Sequence, residues 1–154
     1  MRRKEKIITD QRIIDKILQE SEICRIAMVD GSEPYMVPLN YGYADNVIYM
    51  HSAPEGRKIK LLSDNNRVCF EIEDKLEVIK NDEPCKWTAK YRSLIGYGSI
   101  EIVSDTESKK RGLDIIMRKY GYDGHGEYNE GSMSRMVLLK LNIETITGKQ
   151  SGDW

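Results

Sequence analysis

The sequence predicts one mainly β domain, an antiparallel, barrel-like sheet with a few flanking helices. Three observations carry this expectation. Segments with the two-residue alternation of strands outnumber those with helical spacing. Short turn signals separate many of them, which favours an antiparallel sheet over βαβ layering. The chain of 154 residues, 40% hydrophobic and 32% charged, has the size and composition of a single globular domain, with no repeat, low-complexity tract or internal boundary.

Thr9 or Asp10 caps a first helix, whose apolar positions Ile13, Ile14, Ile17 and Leu18 form one packing stripe. Cys24–Val29 reads as a strand and Asp30-Gly31-Ser32 as its turn. Tyr35–Tyr43 is extended, and Ala44-Asp45-Asn46 closes a hairpin to Val47–His51. A short helix with Ile59, Leu61 and Leu62 follows Pro54 and stops at Ser63-Asp64-Asn65-Asn66. Arg67–Ile72 is a strand that Leu76–Ile79 continues or neighbours, and Lys80–Pro84 is a loop. Tyr91–Val103 is the longest strand, with Leu94, Gly96, Gly98, Ile100 and Ile102 on one face. Two glycines on that face signal tight curvature, or a backbone left open to something flat. Ser104 or Asp105 caps a helix carrying Leu113, Ile116, Met117 and Tyr120. Gly121–Gly131 is a glycine-rich connection, Met136–Thr147 the last strand, and a short tail follows.

Charge excludes one class of partner. With 24 basic and 25 acidic side chains the formal charge is -1, a poor footprint for a nucleic-acid binder, which needs unopposed cations near phosphates. The one basic run, Arg2-Arg3-Lys4 with Lys6, is interrupted by Glu5 and reads as a solvated arm. Cys24, Cys69 and Cys85 form no CxxC and no even framework, so reduced thiols are expected, with Cys24 and Cys69 in the core. No apolar run approaches the ~20 residues that span a bilayer, and no leader is evident, so no membrane partner and a cytoplasmic location are expected.

The segment His51-Ser52-Ala53-Pro54-Glu55-Gly56-Arg57-Lys58 is the most informative for chemistry. A strand ends, a hydroxyl and a tight turn follow, and two cations sit where a helix begins. Free helix N–H groups, the Ser52 hydroxyl, the forked Arg57 and the mobile Lys58 can together hold anionic oxygens. Glu55 is expected to face solvent or orient a cation. The plainer alternative is a solvated Arg-Lys pair on an ordinary helix.

In Val37-Pro38-Leu39-Asn40-Tyr41-Gly42-Tyr43, Pro38 belongs at an edge or bulge, leaving nearby backbone groups free for a ligand. Asn40 can meet a heterocycle edge and Tyr41 or Tyr43 cover it, or the tyrosines simply fill a half-buried strand. His51 can donate or transfer a proton, or pack at a strand end; His125 reads as a surface or loop-gating histidine. Two histidines so far apart, without a cysteine pair or HExxH, argue against a metal site. No GxSxG or paired-carboxylate arrangement points to a hydrolase. Trp87, Tyr91 and Arg92 close over a ring or pack in an interface, and Lys149 follows the last strand on a tail.

Taken together, five segments resemble the nitroimidazole-resistance branch of the pyridoxamine 5′-phosphate oxidase-like, FMN-binding split-barrel superfamily. They are Cys24–Met28, Val37–Tyr43, His51–Lys58, Tyr91–Gly98 and Ile146–Lys149, within a likeness from Arg3 to Lys149. The resemblance implies a split barrel of about six antiparallel strands and a homodimer with FMN at the subunit interface. Phosphate would be held around Ser52, Arg57 and Lys58, and the isoalloxazine ring would lie along Val37, Pro38, Leu39 and Asn40. Trp87, Tyr91 or Arg92 would come from the second subunit, Lys149 belongs to the shared Ile146–Lys149 motif, and His51 would sit near the ring or a small-molecule substrate. Branch members are thought to reduce nitro groups. The chain lacks the basic C-terminal element of true pyridoxine-phosphate oxidases, which argues against vitamin B6 oxidation. An FMN-dependent oxidoreductase is therefore expected, with a non-catalytic flavin- or haem-binding sensor or store as the alternative.

Overall fold

The computed structural model describes residues 4–152, so Arg2, Arg3, Asp153 and Trp154 lie outside the described residues. A 3₁₀ turn at Lys4–Lys6 leads into β1 (Ile7–Ile8) and α1 (Gln11–Glu20), capped by the Asp10 carboxylate, which accepts from the Arg12 N–H. β2 (Ile23–Asp30) and β3 (Glu33–Asn40) form a hairpin, with Gly31 at φ 61 in the turn, the left-handed conformation that a type II′ hairpin takes at its first central position. β4 (Gly42–Ala44) and β5 (Val47–Ser52) form a second hairpin; Asp45 and Asn46 both have positive φ, as a type I′ turn demands. α2 (Arg57–Asp64), β6 (Arg67–Ile79), β7 (Thr88–Val103), α3 (Thr106–Lys119), the short α4 (Glu130–Ser134) and β8 (Val137–Ser151) complete the chain.

All strand pairs are antiparallel, in the order β3-β2-β6-β7-β8-β5-β4, with β1 added on β8. The sheet curls until β3 lies against β5, giving a split barrel. Among the described residues it has eight strands rather than about six, because β1 and β4 are short additions that hydrophobic patterning does not reveal.

Alternation sorts the side chains into two cores. Cys24, Ile26, Met28, Ile48, Met50, Phe70, Ile72, Leu94, Leu139 and Leu141 fill the barrel with Ile14, Ile17 and Leu18 of α1. On the outer face, Val103 and Leu138 pack under Ile116 of α3, beside Tyr49 and Leu113. Gly96 and Gly98 face inward: a Cβ on Gly96 would strike the Phe70 ring and one on Gly98 the Asn142 carbonyl. Their absent side chains serve tight curvature, not an open ligand surface.

Several boundaries differ from expectation. Tyr41 interrupts the predicted Tyr35–Tyr43 strand because its buried hydroxyl donates to the Leu18 carbonyl at 2.8 Å. β6 runs unbroken to Ile79 through a bulge at Lys75, whose φ is 46. Met117 and Tyr120 are exposed; the buried side of α3 is Lys109, Gly112 and Ile116. Cys69 is half-buried on the outer face rather than in the core, because its neighbours Val68 and Phe70 take the inward positions. β8 extends to Ser151, so Lys149 is a strand residue paired with Ser93 and Ile7, not part of a tail.

Candidate functional site

The turn after β5 builds an open recess of about 430 Å³ whose lining includes Tyr35, His51, Ser52, Glu55, Arg57 and Lys58. Strand alternation points Ser52 inward and buries it, while His51, one residue earlier, is exposed on the outer face. Gly56 has φ 111, a conformation that L side chains rarely adopt, and gives α2 no side-chain cap. The first N–H groups of α2 are therefore without an internal acceptor.

The two cations are held differently. Arg57 donates to Asp30 at 2.7 Å and lies 4.4 Å from the centre of the Tyr35 ring. Lys58 is half-buried and has no hydrogen bond or ion pair among the described residues. Desolvation pushes its pKa below the ordinary lysine value. The Ser52 hydroxyl likewise has no partner among the described residues. Glu55 is exposed and pairs with neither cation. A half-buried, unpaired ammonium, a free hydroxyl and an uncapped helix start on one recess have the chemistry to accept an anion.

β3 supplies the second element. Among the described residues its only hydrogen-bonded sheet partner is β2, so its other edge carries no strand ladder although β5 lies near it. Pro34 and Pro38 are four residues apart and turn their donor-less nitrogens to the same side; with β2 occupying one side, that side is the open edge. Val37 and Leu39 are half-buried, while Pro38 and Asn40 are exposed. Asn40 donates to the Tyr120 hydroxyl at 3.2 Å, and that hydroxyl donates to the Glu22 carbonyl at 2.6 Å.

Lys119 is next to this network, its Nζ 3.1 Å from the centre of the Tyr41 ring and donating to the Leu18 carbonyl at 3.0 Å. Burial pushes its pKa down to about 7, opposed in part by the neighbouring Cys24 thiol and Glu22 carboxylate. Tyr43 is half-buried and packs against the barrel core.

The remaining predicted residues lie at the other end of the sheet. Arg92 is buried and ion-paired with Asp74, and is separated from Val103, beside the cradle, by roughly 35 Å of strand. Tyr91 carries the Lys6 ammonium 5.6 Å from its ring centre, and Trp87 donates to the Asn81 carbonyl at 2.6 Å. Lys149 sits beside Ser93 at that same end. Within one chain these four are not brought to the cradle. His125 is exposed in the loop after α3, 3.5 Å from Asp114. Among the described residues no His, Cys, Asp and Glu grouping could hold a metal, and no helix is long and apolar enough to cross a membrane.

Sequence reasoning missed Asp30 and Tyr35 as parts of the cradle. They precede Arg57 by more than twenty residues, and only the β2–β3 hairpin brings them to it, so no local motif announces them.

An antiparallel split barrel with a recess lined by Arg57 and Lys58 at one end defines the structural class. The chain belongs to the pyridoxamine 5′-phosphate oxidase family, whose sequence model matches residues 10–150, and to its nitroimidazole-resistance branch. A candidate 5-nitroimidazole antibiotic resistance protein from Bacteroides thetaiotaomicron is 31% identical over 94% of this chain and 86% of its own, with a TM-score of 0.83. Two more distant structures share the fold. An FAD- and haem-binding protein from Mycobacterium smegmatis is 18% identical over 97% of this chain and 75% of its own, with a TM-score of 0.85. The flavocytochrome Anf3 from Azotobacter vinelandii is 17% identical over 99% of this chain and 72% of its own, with a TM-score of 0.85. No curated protein sequence matches the chain.

Proposed function

We propose that the protein binds FMN at the end of β5 and acts as an FMN-dependent oxidoreductase on small organic substrates, nitro compounds among them. The observation that carries this is the cradle, where unpaired Lys58, the free Ser52 hydroxyl and the uncapped start of α2 line one recess. A phosphate monoester supplies the charge and the acceptor oxygens that these groups lack. Arg57, already oriented by Asp30 and Tyr35, loses little freedom on closing over it.

The ring would lie along the open edge of β3, where the Val37, Pro38, Leu39 and Asn40 backbone can meet its polar rim. Bound flavin supplies the electron-transfer chemistry, and the protein positions it and shapes substrate access. His51, exposed on the recess wall, is the proposed proton donor or substrate contact. The nitro preference is supported by the described role of the 31%-identical relative.

Homodimerisation is part of the proposal. It is supported by the open β3 edge and by the exposed Met36, Ile95 and Tyr97 on the outer sheet face, with Leu76, Val78 and Trp87 further along the β6–β7 hairpin. A second copy would bring Trp87, Tyr91 and Lys149 toward the cradle, while Arg92 would act through its bond to Asp74. A cytoplasmic location is supported by three free cysteines.

Absorption spectroscopy of the purified protein with added FMN tests the cofactor. Saturable uptake with a flavin spectrum is expected, and a protein that stays colourless overturns it. Anaerobic mixing with a reduced nicotinamide, then a nitroimidazole, tests turnover; flavin that is reduced but never reoxidised by the nitro compound removes that substrate class.

A further inference from the structure

The end of the sheet that carries the cradle holds a second basic recess. The register His51↔Leu138↔Val103 places the ends of β5 and β7 two strand spacings apart, roughly 10 Å. Just past Val103, α3 and α4 enclose a cavity of about 390 Å³ whose lining includes Ser104, Thr106, Lys109, Lys110, Glu130 and Ser134.

Lys109 is the unusual member. It is only 6% exposed, and among the described residues its ammonium makes one hydrogen bond, to the Met133 carbonyl at 2.8 Å, and no ion pair. An ammonium has three donors, and charges this deeply buried are normally paired. Lys110 adds a second, exposed cation, and the Ser104 and Thr106 hydroxyls have no partner among the described residues. Glu130 is the one carboxylate on the lining and pairs with neither lysine. The start of α3 is already capped by Asp105, which accepts from the Ser108 N–H, so side chains must carry the site.

We infer that this recess is a second anion site, built for the phosphate group of a small molecule and distinct from the cradle. A phosphate oxygen can take the spare Lys109 donors, while Lys110 and the two hydroxyls reach the others. Free phosphate esters and the outer phosphate of a dinucleotide flavin share this chemistry.

The test is a titration of isotope-labelled protein with inorganic phosphate, followed by the backbone amide resonances. Saturable shifts at Ser104, Thr106, Lys109 and Ser134 are expected, weakened about tenfold by Lys110→Gln, the equivalent of one charge-assisted hydrogen bond. Lys110 is exposed and Lys109 buried, so the Lys110→Gln variant is the one that leaves the fold intact. Shifts confined to Ser52–Lys58, or shifts that ignore Lys110→Gln, overturn the inference. FAD and FMN affinities then separate the sources: a Lys110→Gln loss for FAD alone identifies a dinucleotide phosphate, and equal affinities alongside weakened phosphate binding identify an independent phosphorylated ligand.

Discussion

Arg57 and Arg92 are both paired with an aspartate, at opposite ends of the same sheet. The Arg57–Asp30 side chains are 54% and 40% exposed, and the Arg92–Asp74 side chains 7% and 6%. Water solvates the first pair whether or not it forms, so the bond is weak and Arg57 can turn to a new anion. The second pair has lost that solvation, so water does not replace the carboxylate when the pair is broken. The same two residue types thus make a receptor at one end and a strut at the other. Where the chain runs, rather than the residue's chemistry, decides which.

The largest effect should come from breaking the strut. Asp74→Asn leaves a buried guanidinium without its carboxylate and should cost about 3–5 kcal/mol in urea unfolding. A loss below about 1 kcal/mol would show that burial does not separate the two pairs. The converse experiment is Arg57→Ala with Lys58→Ala. FMN affinity should fall about a hundredfold in a flavin fluorescence titration, while unfolding free energy moves by no more than roughly 1 kcal/mol. Unchanged affinity would remove both residues from the phosphate site.

Lys119 lies between these extremes, partly buried over the Tyr41 ring with a carbonyl as its hydrogen-bond acceptor. Burial lowers its pKa to about 7 in the folded chain, against the ordinary 10.5 when unfolded. From about 7 toward 10.5 the unfolded chain holds a proton that the folded chain does not, so stability rises with pH across that window. The penalty is fully present below it. Lys119→Met should therefore flatten the rise, read as urea midpoints at neutral and alkaline pH. Parallel curves for the two proteins would mean that Lys119 is solvated when folded.

Much of this was legible because local rules governed it. The stripe Ile14, Ile17 and Leu18, the Asp10 cap, the Asp45-Asn46 turn and the alternation of β7 follow from spacing alone. Ser52, Arg57 and Lys58 could be grouped from sequence because they are close along the chain, and they line one recess. Asp30, Tyr35, Lys109 and Lys119 could not be, because tertiary placement sets their burial and partners and no local period marks it. Arg92 shows what sequence leaves out: its type and aromatic neighbours suggest a ligand contact, and nothing local announces that the inward face of β7 pairs it with Asp74.

The smallest expected effect lies in the exposed pair itself. Asp30→Asn removes a contact that solvent already weakens, so stability should fall by about 0–1 kcal/mol, and less in high salt. Its effect on ligand binding has the opposite sign. Asp30 places a negative charge against the guanidinium that the proposed phosphate would use, and relieving that repulsion across about 7 Å of water-exposed space is worth roughly a factor of two to three in FMN affinity. The Tyr35 ring still holds the Arg57 side chain, so its orientation survives. If Asp30→Asn instead weakens FMN as strongly as Arg57→Ala, the exposed pair is a positioning device, and solvent exposure alone does not make an ion pair dispensable.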